Sequence, residues 1–129
     1  MFPSYQPPIR RIGDLEIDLL GYQVTWHGEL LKLTGMEFYI LSQLTSKPGQ
    51  TFGFAELYAL NTGEHIEPKK ARYIIKSHVH NLRQKLEQKG RYPQKIFSVY
   101  SKGFKWAEDT PESADSLIDE VDEGASDGI

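Results

Sequence analysis

The chain reads as an α+β domain: a four-stranded antiparallel sheet, three helices and a C-terminal β-hairpin. Three observations predict it. Short apolar runs broken by glycine-containing pairs occupy residues 9–32. A helical apolar period takes over from Thr34. Two further strand-like runs then close the region that ends at residue 107.

Residues 9–12 and 15–19 flank Gly13-Asp14, and residues 23–26 and 29–32 flank His27-Gly28. Two-residue breaks of this kind between strand-like runs are hairpin turns. Thr34 with Glu37 three residues on makes a capping box, in which each side chain satisfies a free backbone N–H. Met36, Ile40, Leu41 and Leu44 follow at helical spacing, and Pro48-Gly49 ends this first helix. A second, shorter helix is expected over 54–60, with Leu57 and Leu60 inward and Gly63 as terminator. The third begins at Pro68, which suits a first-turn position, and stops before Gly90.

On that third helix Ala71, Ile74, Ile75, Val79, Leu82 and Leu86 form one apolar stripe at steps of three and four. Its length corresponds to about 30 Å. Residues 95–99 and 104–107 then read as strands joined by Tyr100-Ser101-Lys102-Gly103. Helices two and three make a helix-turn-helix, and the hairpin beside them is a wing. Trp26, Phe38, Phe104 and Trp106 are read as core aromatics.

The chain has 129 residues, 39% of them hydrophobic, which is enough for one domain with one modest core. Its net charge of −3 averages two unlike pieces. Residues 1–107 hold all 15 Lys/Arg and nine acids, a balance of +6; residues 108–129 hold nine acids and no base. Three units are therefore expected. Residues 1–8, with three prolines, form an extended arm or linker stub; residues 9–107 form the domain; residues 108–129 form an acidic, disordered tail. The tail reads as a solubilising end, as a competitor for the basic surface, or as a docking segment using Leu117, Ile118 and Val121.

Several function classes drop out. There are no cysteines, so disulfides, zinc ribbons and thiol nucleophiles are excluded. No signal-peptide core and no membrane-length apolar run occurs, which leads to the expectation of a cytoplasmic protein with no membrane partner. There is no phosphate-binding glycine loop, nucleophile elbow or His-Glu-x-x-His, so no enzyme, cofactor or small-molecule ligand is expected. His78 and His80 project about 200° apart on a helix and cannot share a metal ion.

What remains is basic. Between Lys69 and Lys105 lie eleven Lys/Arg and one acid, Glu87. A long basic helix with a basic hairpin beside it suits a nucleic-acid duplex.

Three segments, in order, resemble the OmpR/PhoB-type winged-helix effector domain of bacterial response regulators. LTGMEFYILSQLTSKPGQTF at 33–52 is similar to the family's Leu-Thr-x-x-Glu-Phe opening and Pro-Gly helix end. HVHNLRQKLE at 78–87 resembles its recognition-helix pattern, and IFSVYSKGFKWA at 96–107 its wing. The likeness covers residues 9–107. Departures fall at the reading positions. Lys76 stands where the family has an acid, Ser77 where it has a small apolar residue, and His80 and Asn81 where arginine is common. In the wing, Tyr100 replaces an arginine and Ser101 a glycine; Thr62 replaces a tryptophan after the second helix. In that family the module follows a receiver domain, which these residues do not include.

The resemblance implies sequence-specific binding of double-stranded DNA by a transcriptional regulator, with the third helix in the major groove. Opposite the apolar stripe that helix displays Lys69, Arg72, Tyr73, Lys76, Ser77, His80, Asn81 and Gln84. Lysine and arginine donate to guanine, while Asn and Gln bind adenine bidentately, so Lys76, Ser77, His80 and Asn81 are expected to read bases. His78 and Arg83 resemble the family's backbone-contacting positions. On the wing, Tyr100, Ser101, Lys102 and Lys105 are expected at the backbone or minor groove. Thr51, before helix two, is a candidate phosphate contact or a simple cap. The resemblance further implies RNA polymerase contact through residues 61–67 and homodimers on direct repeats. Two other readings stay open: a protein-interaction winged helix whose basic face binds an acidic partner or its own tail, and a nonspecific architectural DNA binder.

Overall fold

The computed structural model describes residues 8–108. The arm expected over 1–8, apart from Pro8, and the tail readings over 109–129 lie outside the described residues. Strands β1 (Ile9–Ile12), β2 (Leu15–Asp18), β3 (Gln23–Trp26) and β4 (Glu29–Leu31) pair as an antiparallel meander in sequence order. Leu15, Ile17, Val24 and Trp26 alternate onto the buried face, as the period of two requires. His27 and Gly28 both take positive φ, the geometry of a two-residue turn whose twist matches its strands.

Helix α1 (Gly35–Ser46) starts on the expected capping box: Thr34 Oγ1 accepts from Glu37 N at 3.2 Å, and Glu37 Oε1 accepts from Thr34 N at 2.9 Å. Arg10 of β1 reaches across to α1, donating to the Ser42 carbonyl at 2.8 Å. Burial lowers the pKa of its guanidinium from the ordinary arginine value. Beyond α1, Gly49 N–H donates to the Trp106 carbonyl at 2.8 Å and joins the helix end to the last strand.

A strand that sequence patterning missed comes next. Phe52–Gly53 (β5) pairs antiparallel with β7 (Gly103–Trp106), which also pairs with β6 (Ile96–Val99). The wing is thus two strands of a three-stranded sheet, ordered β5-β7-β6, rather than an isolated hairpin. Two residues are too few to show a period, so only the partner strand reveals β5. Gly103, expected in the turn, is the first residue of β7.

Helix α2 (Phe54–Thr62) is capped at Gly53, whose N–H donates to Glu56 Oε1 at 3.1 Å. Thr51 is therefore not the cap, because β5 lies between it and the helix. Gly63 ends α2 in the left-handed conformation, so Asn61 and Thr62 belong to the helix and the following loop is shorter than expected. Leu57 is buried, but Leu60 is 53% exposed. The inward face carries Phe54, Leu57 and Tyr58. Leu60 sits about 110° around the helix from its centre, so inward burial at that position is corrected.

Helix α3 (Pro68–Glu87) carries the stripe, with Ala71, Ile75, Val79, Leu82 and Leu86 buried and Ile74, expected among them, only half-buried. Its C-cap is Gln88, with Lys89 and Gly90 also at positive φ. The first sheet grips this end of α3. Trp26 Nε1 donates to the Leu86 carbonyl at 2.8 Å, and the His27 ring stacks on Tyr92 at 3.7 Å. One core joins both sheets and all three helices, with Trp26, Phe38, Phe104 and Trp106 inside it.

Candidate nucleic-acid interface

Burial of the α3 stripe decides what its other side offers. Lys69, Arg72, Tyr73, Ser77, His80, Asn81 and Gln84 are all exposed, and Lys76 is half-buried beside them. Tyr73 is 78% exposed, a ring held in solvent rather than in the core. The row combines cations with neutral donors and acceptors on a rod about 30 Å long. An α-helix, about 10–12 Å across with its side chains, fits a groove about 12 Å wide.

His78 and Arg83 are half-buried at the stripe's edges. Arg83 turns toward the wing. Its Nε donates to the Ile96 carbonyl at 3.1 Å, its Nη2 to Ser98 Oγ at 3.0 Å, and its Cζ lies 5.1 Å from the Phe104 ring centroid. Arg72 lies 5.4 Å over the ring of Phe54, which itself meets Phe104 edge-on at 5.6 Å. Two aromatic rings, one opening α2 and one from the wing, thus sit between two arginines of α3. Sequence reading missed Phe54 and Ser98 as supports of this surface, since nothing in their local spacing marks them.

Of the eleven basic residues, Lys85 points elsewhere: its Nζ lies 2.6 Å from Oε1 of Glu37 on α1. At the wing tip Tyr100, Ser101 and Lys102 are exposed, with Lys102 N–H donating to the Val99 carbonyl at 2.9 Å. Lys105 is half-buried on β7, and Thr51 is half-buried just before β5. Ser101 has φ of 59°, a left-handed conformation in which a Cβ costs energy. Ser101→Gly is therefore expected to raise the unfolding free energy by about 0.5–1 kcal/mol. A urea titration measures this, and a lowered midpoint would contradict the strain.

Among the described residues no group of three His, Cys, Asp or Glu could hold a metal ion, and no helix is long and apolar enough to cross a membrane.

Residues 28–106 match the family model described as "Transcriptional regulatory protein, C terminal". The DNA-binding response regulator MtrA of Mycolicibacterium smegmatis is 37% identical over 94 residues, which are 73% of this chain and 40% of that protein. The chain thus spans about 40% of the length of that curated relative. The RstA DNA-binding domain of Klebsiella pneumoniae, crystallised with the RstA box, superposes with a TM-score of 0.68 at 26% identity, covering 78% of this chain and 97% of that one. The DNA binding domain of CpxR from E. coli superposes at 0.70 with 23% identity, covering 80% of this chain and 99% of that one, a likeness of fold. The winged-helix architecture and the family match agree, and the chain belongs to the OmpR/PhoB-type C-terminal effector domains of transcriptional regulatory proteins.

Proposed function

We propose that this chain is the sequence-specific, double-stranded-DNA-binding module of a cytoplasmic bacterial transcriptional regulator. The observation that carries the reading is the exposed polar and basic face of α3 beside a wing attached to the same helix. In this reading phosphate contacts set the register while Lys76, Ser77, His80 and Asn81 meet base edges in the major groove. Lys69, Arg72, Tyr73, His78 and Gln84 flank them. Lys102 at the wing tip meets the backbone or minor groove, with Tyr100, Ser101 and Lys105 beside it, and Thr51 is a further phosphate contact. Binding as a dimer on direct repeats and a polymerase contact through the loop after Gly63 belong to the same proposal. The relatives support it, since MtrA is named as DNA-binding and RstA was crystallised with its DNA box.

Selection of bound duplexes from a random pool tests specificity, site length and half-site spacing together. Replacing Asn81 or Lys76 is expected to shift preference by roughly 1–3 kcal/mol per lost base contact. Replacing Lys102 should weaken all duplexes similarly. A steep salt slope common to every sequence would point to an architectural binder instead. Absence of duplex affinity at low salt, with and without residues 108–129, would refute DNA binding and leave the protein-interaction reading.

A further inference from the structure

Resemblance assigns Arg83 to the DNA backbone, but its contacts in the structure lead elsewhere. In the sheet order β5-β7-β6, strand β6 is an edge. The Lys95 carbonyl accepts from Ala107 N–H on the paired side, so the next carbonyl, that of Ile96, points outward. Among the described residues no strand lies there. Instead, Arg83 Nε and Gln94 Nε2 donate to the Ile96 carbonyl, at 3.1 and 2.8 Å. The same guanidinium donates from Nη2 to Ser98 Oγ, two residues along β6, and lies over the Phe104 ring of β7. Ser98 is buried and Phe104 more so.

A guanidinium is a planar fork whose donors have fixed directions and whose face stacks on aromatic rings. Here the fork and the face are both engaged, and the Ile96 carbonyl, the Ser98 hydroxyl and the Phe104 ring that engage them all belong to the wing. The helix end of this contact lies within one turn of His80 and Asn81. The far end of β6 leads through Val99 to the turn that carries Lys102.

We propose that Arg83 is a positioning residue, whose guanidinium clamps the wing onto α3 so that Lys102 and the reading face meet the duplex as one rigid unit. The inference rests on the DNA-binding reading and adds a role for a residue that does not itself read the duplex. It makes helix and wing contacts arise together. A wing free to swing would lose affinity by ordering on DNA; a wing already clamped avoids that cost.

Two variants of the 129-residue chain test the clamp. Arg83→Lys keeps the positive charge but has no fork, and Ser98→Ala removes one acceptor without changing any charge. Against a duplex selected by the wild-type chain, each is expected to weaken binding by about fivefold, the worth of one net hydrogen bond. Because the loss passes through the wing, it should shrink to less than about twofold when Lys102 is already alanine, as coupled sites require. If Arg83→Lys binds like the wild type, or its loss persists undiminished in the Lys102→Ala background, Arg83 is a direct phosphate contact and the proposal fails. A second measurement needs no DNA. Amide hydrogen exchange at Lys102, whose N–H bonds the Val99 carbonyl, should accelerate severalfold in both variants. Unchanged exchange overturns the clamp even if the wild-type chain binds no duplex, the result that would separately remove the DNA-binding reading.

Discussion

Gly103→Ala is expected to lower the unfolding free energy by about 3 kcal/mol, the upper end of the cost of an overpacked methyl. Gly103 pairs with Val99 on one side and Gly53 on the other, so it lies at the centre of the three-stranded sheet. A Cβ built there would overlap the carbonyl oxygen of Phe52, and Gly53 Cα is also within contact distance. The obstacle is backbone, which cannot turn aside as a flexible side chain can. Nor can β5 easily retreat, because Gly53 is both its last residue and the N-cap of α2. The sheet must separate or the helix start must move. Denaturant titration measures the loss, and binding of a selected duplex should fall with it, since the wing hangs from the same strand. An alanine variant as stable as the wild type would show that β5 and β7 do not approach this closely.

Lys85→Met should cost a similar amount, about 3 kcal/mol, by leaving a buried carboxylate without its cation. Glu37 is 1% exposed, and its Oε1 receives both the Lys85 ammonium at 2.6 Å and the Thr34 N–H at 2.9 Å. The lower end of the usual range applies because the Lys85 side chain is 35% exposed and water screens the pair. Substituting Glu37→Gln in the same chain keeps the capping acceptor and removes the stranded charge. The double variant should therefore recover much of the loss. A double-mutant cycle by urea unfolding decides the matter, and simple additivity would show that the two groups do not interact. The pair joins residues 48 apart in sequence, on α1 and α3.

Both predictions rest on features that residue patterns do not carry. The four N-terminal strands were legible because their signals are local: apolar alternation and glycine-bearing pairs at Gly13 and Gly28. The start of α1 was legible because Thr34 and Glu37 satisfy each other's backbone within three residues. The α3 stripe was legible because twenty residues repeat the helical period often enough to fix one face. Strand β5 was not, since two residues contain no period. Leu60 was misjudged because α2 is short, and the direction of its inward face depends on Phe54 and Tyr58 packing against the common core.

The same division runs through the candidate interface. Which α3 residues lie opposite the stripe followed from spacing, and the structure leaves them exposed or half-buried as a row. What each cation does there did not follow. Lys85 lies in the same helix as Lys76 yet serves as counterion to a buried glutamate. Arg83 lies near Asn81 yet bonds an edge carbonyl, a hydroxyl and a ring of the wing.

The sequence by itself determined the order and kind of every element but β5, the capping box of α1, the turns at Gly13 and Gly28, the family and the outward face of α3. Each of these depends on residues within a turn or two of one another. Tertiary structure alone decided the third strand behind the wing, the close approach at Gly103 and the duties of Arg83 and Lys85. Those depend on where side chains and backbones 13 to 52 positions apart come to rest. Only the packed core brings such groups within the few ångströms over which a hydrogen bond, an ion pair or a steric overlap acts.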